Sequence, residues 1–148
     1  MNALEFDNKI SKCKEAPYLA LSSCFFLYPL YIGFSCHAYF HSIPLLFSWA
    51  ASVNYWRHPR YSWRRDADIF FSRIAAFLFS TSCFFVVKNP YYMLVGYPNM
   101  VFFYYLFYLS TLKFEEGYPN WWKYHICFHF FCSLNQYMLL DDVCLSKN

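Results

Sequence analysis

Two histidines in the last part of the chain, His125 and His129, are spaced four residues apart. On a helix this spacing puts both imidazoles on one face, with the Cβ atoms about 6 Å apart. Two such nitrogens can bind one Zn²⁺, which then needs a third ligand and an open position for water. His58, Asp66 and Asp68 are candidates for that ligand, and His58 is favoured because a neutral imidazole suits zinc. The same spacing also fits two polar aromatic residues packed within a helix.

Other polar side chains are predicted to lie at the level of this histidine pair. Ser52 falls near the end of one apolar run, and Asp68 and Arg73 fall near the start of the next. Ionisable groups inside a membrane segment are costly, and they tend to be paired or functional. We therefore expect Ser52 and Asp68 to line one pocket together with the histidine pair. Arg73 is expected to face the interior and to pair with Asp66 or Asp68.

The composition indicates what kind of element holds these residues. The chain has 148 residues, of which 59% are hydrophobic, 26% aromatic and only 14% charged. Soluble domains are nearer 25% charged, so there is too little charge to cover a soluble surface of this size. Disorder is excluded by the high apolar content. The composition therefore indicates an integral membrane protein, with the lipid bilayer as its partner.

Five apolar runs are each close to the ~20 residues that a helix needs to cross a bilayer. They cover about 17–36, 38–56, 67–87, 91–112 and 121–140. None alternates apolar and polar residues as the strands of a membrane barrel do. We expect an all-α bundle of about five transmembrane helices in one domain, 16–140. A polar N-terminal segment (1–15) and a short polar tail (141–148) flank that domain.

The positive charges indicate an orientation for these five spans. Nine of the twelve Lys and Arg residues fall on the side that holds the N-terminus, and two fall on the other side. Cytoplasmic loops carry such an excess, which predicts a cytoplasmic N-terminus in a multi-pass integral membrane protein. The same pattern argues against nucleic acid as a partner, and formation of an oligomer is left open.

The remaining histidines and the cysteines are interpreted as structural. His37 and His41 lie at the level opposite the other pair and are read as interfacial residues. Seven cysteines are present, so at least one is unpaired. We expect no disulfide framework, because most of the cysteines lie inside apolar runs, where free thiols behave as small apolar residues. These are Cys24, Cys83, Cys127 and Cys132.

The arrangement of polar residues resembles the superfamily of membrane hydrolases that includes alkaline ceramidases and the adiponectin/progestin receptors. Ser52 matches the serine that this family carries near the end of its second span, and Asp68 (or Asp66) matches the aspartate of its third. His125 and His129 match the closing His-x-x-x-His. The resemblance implies a zinc ion that activates water against a lipid amide or ester. It also implies that Ser52 and Asp68 are the catalytic groups that position this water or stabilise charge.

This chain also departs from the family pattern. The family expects a histidine four residues after the serine, where this chain has Trp56, and His58 follows two residues later. The family has seven spans, whereas five are predicted here. The matched positions cover only 52–68 and 125–129.

Two functions from different classes therefore follow from the sequence. The first is a zinc-dependent hydrolase of lipid amide or ester bonds, in which zinc lowers the pKa of its bound water to about 7. The second is a non-catalytic membrane protein, such as an assembly factor or a subunit of a membrane complex. A haem protein with two histidine ligands is a third reading, but it needs histidines from two helices at one level.

Overall fold

The computed structural model of the protein describes Glu5, Ile10 and residues 13–146. Most of the predicted polar segment 1–15 and the last two residues of the predicted tail therefore lie outside the described residues. Within the described part, all regular structure is helical, as the apolar runs predict. The five helices are α1 (Ala16–Ser35), α2 (Tyr39–Arg57), α3 (Trp63–Phe85), α4 (Pro90–Glu115) and α5 (Trp121–Leu145).

The helix ends follow local sequence signals. Pro90 opens α4, and the Asn89 side chain caps it by accepting a hydrogen bond from the Tyr91 backbone N–H at 3.0 Å. The helix then continues through Pro98 without a break. In the turn between α1 and α2, His37 adopts a left-handed backbone with φ of 58°. At the C-terminal end α5 extends to Leu145, so part of the predicted tail is helical.

The helices form a bundle in which α1 packs on α2 and α5, α2 packs on α3, and α4 packs along α5. The interior holds Leu45, Leu139 and Leu140, all almost fully buried. At Gly33 the helices approach so closely that an added Cβ would lie 2.2 Å from Ser42 Oγ and 3.1 Å from Leu140 Cδ2. An alanine there would therefore force the side chains of Ser42 and Leu140 to shift.

We name the two ends of the bundle by their chemistry. The basic end carries the α2–α3 loop (58–62) and the α4–α5 loop (116–120). The disulfide end carries the α1–α2 turn (36–38) and the α3–α4 loop (86–89). At this second end Cys36 and Cys144 form a disulfide that joins α1 to α5 across 108 residues of sequence. The sequence did not predict this pair, whereas Cys24, Cys83, Cys127 and Cys132, which were expected to be free thiols, are free.

Further bonds hold the disulfide end together. The buried Asp142 carboxylate accepts hydrogen bonds from the backbone N–H groups of Lys88 at 2.7 Å and Asn89 at 3.4 Å. The Tyr92 hydroxyl donates to Asp141. His41, predicted to be interfacial, is instead buried and hydrogen-bonded to Ser82 at 2.8 Å.

The surface is apolar and aromatic along much of its length, whereas many buried residues are polar. Exposed side chains of α4 include Tyr91, Leu94, Val101, Tyr105 and Tyr108. The buried polar residues include Ser22, Ser52, His129, Asn135 and Gln136. By length and composition, α1 and α3 are the helices able to cross a membrane among the described residues.

Candidate functional site

A cavity of about 190 Å³ opens at the basic end, between α2, α3, α4 and α5. Its polar lining includes Arg65, Asp68, Ser110 and His125. Its apolar lining is Ile10, Tyr55, Trp56, Ile69, Phe107, Phe114 and Trp121. An apolar wall with a few convergent polar groups is the usual character of a small-ligand site.

His125 lies on the α5 wall of this cavity. Its Nδ1 is 3.1 Å from the Ser110 Oγ of α4, and the two atoms are hydrogen-bonded. The imidazole packs edge-on against the Trp56 ring, with centroids 5.2 Å apart. The ring of His129 lies closer still, at 4.7 Å between centroids, and the Phe128 ring is also in contact at 5.5 Å. The two histidines therefore share one helix face, with His125 nearer the cavity.

His129 is buried deeper and is held by α1. Its Nδ1 is 2.7 Å from the Ser22 Oγ, and the Phe26 ring covers it at 5.4 Å between centroids. The neighbouring Ser23 Oγ lies 3.2 Å from the Ser52 Oγ of α2. Because few polar groups are available to them in an apolar interior, such hydroxyls bond to each other across helices. They connect α1 to both α2 and α5.

Asp68 brings α3 into the same polar cluster. Its carboxylate accepts a hydrogen bond from Ser72 Oγ at 3.4 Å, and the Ser52 hydroxyl also interacts with it. Ser72 in turn lies 3.3 Å from the Ser48 Oγ of α2. The four residues Ser52, Asp68, His125 and His129 thus lie in one polar region at the basic end, and Asp68 and His125 line the same cavity.

His58 lies apart from this region. It follows the last residue of α2 and precedes Pro59, and its backbone leaves the helix there with φ of −145°. The exposed side chain lines a different cavity, with two arginines. Throughout residues 13–146 no three His, Cys, Asp or Glu side chains gather closely enough to hold a metal ion. The donor set predicted for zinc is therefore not assembled here, and zinc stays a prediction.

The expectation for Arg73 is wrong. The side chain is exposed, and no ion pair joins it to Asp66 or Asp68. Asp68 lies about 140° around the helix from Arg73, and Asp66 shares its face but is about 10 Å away along the axis. Asp66 instead lies 3.7 Å from the guanidinium of Arg65.

Ser110 and Ser22 are each hydrogen-bonded to one histidine of the pair, although neither serine was predicted from the sequence as a site residue. A serine in an apolar run is as typical of close helix packing as of a functional site. Ser110 and Ser22 can be assigned to the site only once the positions of their helices relative to α5 are known.

Comparison with known proteins assigns no class to this fold and site. No protein-family model matches the chain, and no curated protein or solved structure matches it either.

Proposed function

We propose that the protein is a five-span membrane protein with a cytoplasmic basic end. The exposed aromatic and aliphatic side chains of all five helices would face lipid, since soluble monomers rarely expose apolar patches of such extent. The basic end carries Arg57, Arg60, Arg64 and Arg65, as cytoplasmic loops do. The Cys36–Cys144 bond supports the same orientation independently, because disulfides persist in oxidising compartments.

Site-directed labelling tests this orientation. In a chain whose free cysteines Cys13, Cys24, Cys83, Cys127 and Cys132 are serine, one new cysteine is placed at Asn89 or at Asn120. A membrane-impermeant maleimide applied to sealed, oriented vesicles should label Asn120→Cys from the cytoplasmic side and Asn89→Cys from the other. Labelling of both from one side would contradict the proposal.

We further propose that the basic-end cavity hydrolyses a lipid amide or ester. The observation that carries this proposal is the hydrogen bond between Ser110 and His125 in a cavity that Asp68 also lines. A hydroxyl bonded to an imidazole is the pairing that activates a serine for attack. The apolar wall suits an acyl chain, and the cavity lies at the level of a lipid carbonyl in the cytoplasmic leaflet.

In this mechanism, the His125 tautomer with an unprotonated Nδ1 accepts the Ser110 proton while Oγ attacks the substrate carbonyl. The imidazolium then gives that proton to the leaving amine or alcohol, and an acyl-serine forms. A water molecule, with His125 again accepting its proton, hydrolyses the acyl-serine and restores the Ser110 hydroxyl. Asp68 lies on the same cavity wall, and its carboxylate, when ionised, would stabilise the imidazolium through its charge.

Turnover of short-chain amides and esters by protein purified in detergent tests the assignment. Ser110→Ala and His125→Gln should each lower kcat at least 100-fold, the range that general base catalysis contributes. The matched control is Ser80→Ala, which removes a hydroxyl bonded to Tyr104 at 2.7 Å and away from this cavity. Equal turnover by Ser110→Ala and the native chain would contradict the serine mechanism.

Metal analysis of the same preparations separates the two hydrolytic chemistries. Stoichiometric zinc that is lost in His125→Gln and His129→Gln, with turnover lost on chelation, would favour the zinc-dependent reaction. Absence of turnover on all amide and ester substrates would favour the non-catalytic alternative, an assembly factor or complex subunit.

A further inference from the structure

The cavity that contains His58 is separate from the proposed hydrolytic site. It has a volume of about 390 Å³ and is lined by His58, Arg60, Ser62, Trp63 and Arg64. All five belong to the α2–α3 loop or the adjoining end of α3. We propose that this cavity binds the phosphate group of an anionic lipid in the cytoplasmic leaflet.

The charges of the lining favour an anion. Two guanidinium groups, one imidazole and one hydroxyl meet there, and no carboxylate lines the cavity among the described residues. Arginine binds phosphate through two parallel N–H donors, which makes it the preferred side chain for such groups. The same two positive charges would also repel a metal ion near His58.

The nearest acidic side chain along α3 is already occupied. Asp66 is exposed and lies 3.7 Å from the guanidinium of Arg65, which itself stacks 5.0 Å above the Tyr61 ring. Arg65 lines the other cavity, whereas Arg64 lines this one. Successive arginines thus serve different cavities, and the charges of Arg60 and Arg64 remain for an external anion.

Aromatic residues around the cavity point to a lipid as the source of the phosphate. Trp63 is 68% exposed and Tyr61 is 50% exposed, and tryptophan and tyrosine concentrate where headgroups meet the acyl region. The cytoplasmic leaflet carries the anionic lipids that attract basic segments. This inference rests on the membrane placement proposed above and is independent of the proposed hydrolysis.

The test uses the full chain in detergent and measures its thermal unfolding with three probes: short-chain phosphatidic acid, short-chain phosphatidylcholine and inorganic phosphate. Phosphatidic acid should raise the Tm of the native chain more than the other two. Arg60→Gln and Arg64→Gln should each weaken its apparent affinity about fivefold, and the double variant about thirtyfold. Arg57→Gln, which removes a neighbouring charge outside the cavity lining, is the matched control and should change the affinity less than twofold.

Each other outcome overturns the proposal. An equal effect of phosphatidylcholine would show that the phosphate charge is not recognised. An equal effect of inorganic phosphate would identify a free anion rather than a lipid. An equal loss in Arg57→Gln would indicate a diffuse attraction to the whole basic loop. Because turnover of a neutral lipid amide does not involve Arg60 or Arg64, a failure here leaves the hydrolytic proposal unaffected, and the reverse also holds.

Discussion

The two ends of the bundle use their polar groups differently. At the disulfide end, Cys36 is bonded to Cys144, and Asp142 and Tyr92 are committed to hydrogen bonds between helices and loops. At the basic end, Asp68 and His125 line an open cavity, and Arg60 and Arg64 line a second one. The first end therefore contributes mainly stability, and the second keeps polar groups available to a ligand. Substitutions at the two ends should separate these roles.

The largest effect on stability is expected from the disulfide. Cys36→Ser with Cys144→Ser should lower the free energy of unfolding by about 4 kcal/mol, because a crosslink across roughly a hundred residues restricts the unfolded chain. Thermal unfolding of the purified protein with and without reductant measures the loss. Cys127→Ser, which changes an exposed free thiol, is the control. A double variant as stable as that control would contradict the conclusion that the disulfide end contributes mainly to stability.

Asp142→Ala should have the next largest effect. The change leaves the backbone N–H groups of Lys88 and Asn89 without their charged acceptor, at a cost of about 3 kcal/mol. Denaturation in detergent measures it. Asp66→Ala removes an exposed carboxylate at the basic end and should cost less than about 0.5 kcal/mol. Similar losses in the two variants would contradict the contrast between the ends.

Gly33→Ala should cost about 2 kcal/mol, the middle of the range for overpacking in a well-packed interior. The new methyl group would meet Ser42 and Leu140. Gly96→Ala is the matched control, because its added Cβ would have only ordinary contacts at 3.9 Å. The Tm difference between the two alanine variants measures this cost, and a zero or reversed difference would mean that the side chains of Ser42 and Leu140 move aside at no cost.

At the basic end, Ser110→Ala should lower stability by only about 0.6 kcal/mol, the average for a hydrogen bond between membrane helices. The same variant should lose turnover, so stability and activity would separate. Parallel measurements of Tm and kcat on one preparation make this comparison. A large loss of stability would instead identify the Ser110–His125 bond as a structural one.

The smallest change is expected for Arg73→Leu, because the exposed guanidinium has no carboxylate partner among the described residues. Its stability should stay within about 0.5 kcal/mol of the native chain. Arg65→Leu, which removes a group that contacts Tyr61 and Asp66, should be the less stable of the pair. The unfolding midpoints of the two leucine variants test this. A greater loss of stability in Arg73→Leu than in Arg65→Leu would support the ion pair expected from the sequence.

The sequence predicted the helices well because their causes are local. Apolar runs, Pro90 and the Asn89 cap define where helices lie, and the observed bounds differ from the predicted ones by a few residues. The position of the site along the bundle axis could also be predicted, since Asp68 and His125 occur at predicted helix starts. The contacts between helices, in contrast, are not determined by the local sequence. The Cys36–Cys144 bond, the Ser110 partner of His125 and the outward direction of Arg73 all depend on helix packing and rotation.

The disulfide between α1 and α5 also sets an order of events during synthesis of the protein. Cys36 belongs to the end of the first helix and Cys144 to the end of the last, so the bond forms only after α5 has been made and placed beside α1. In a five-span arrangement both thiols must first reach the same, oxidising side of the membrane. Formation of this disulfide therefore marks the completed bundle. The chain without the disulfide is the species that cellular quality control would encounter.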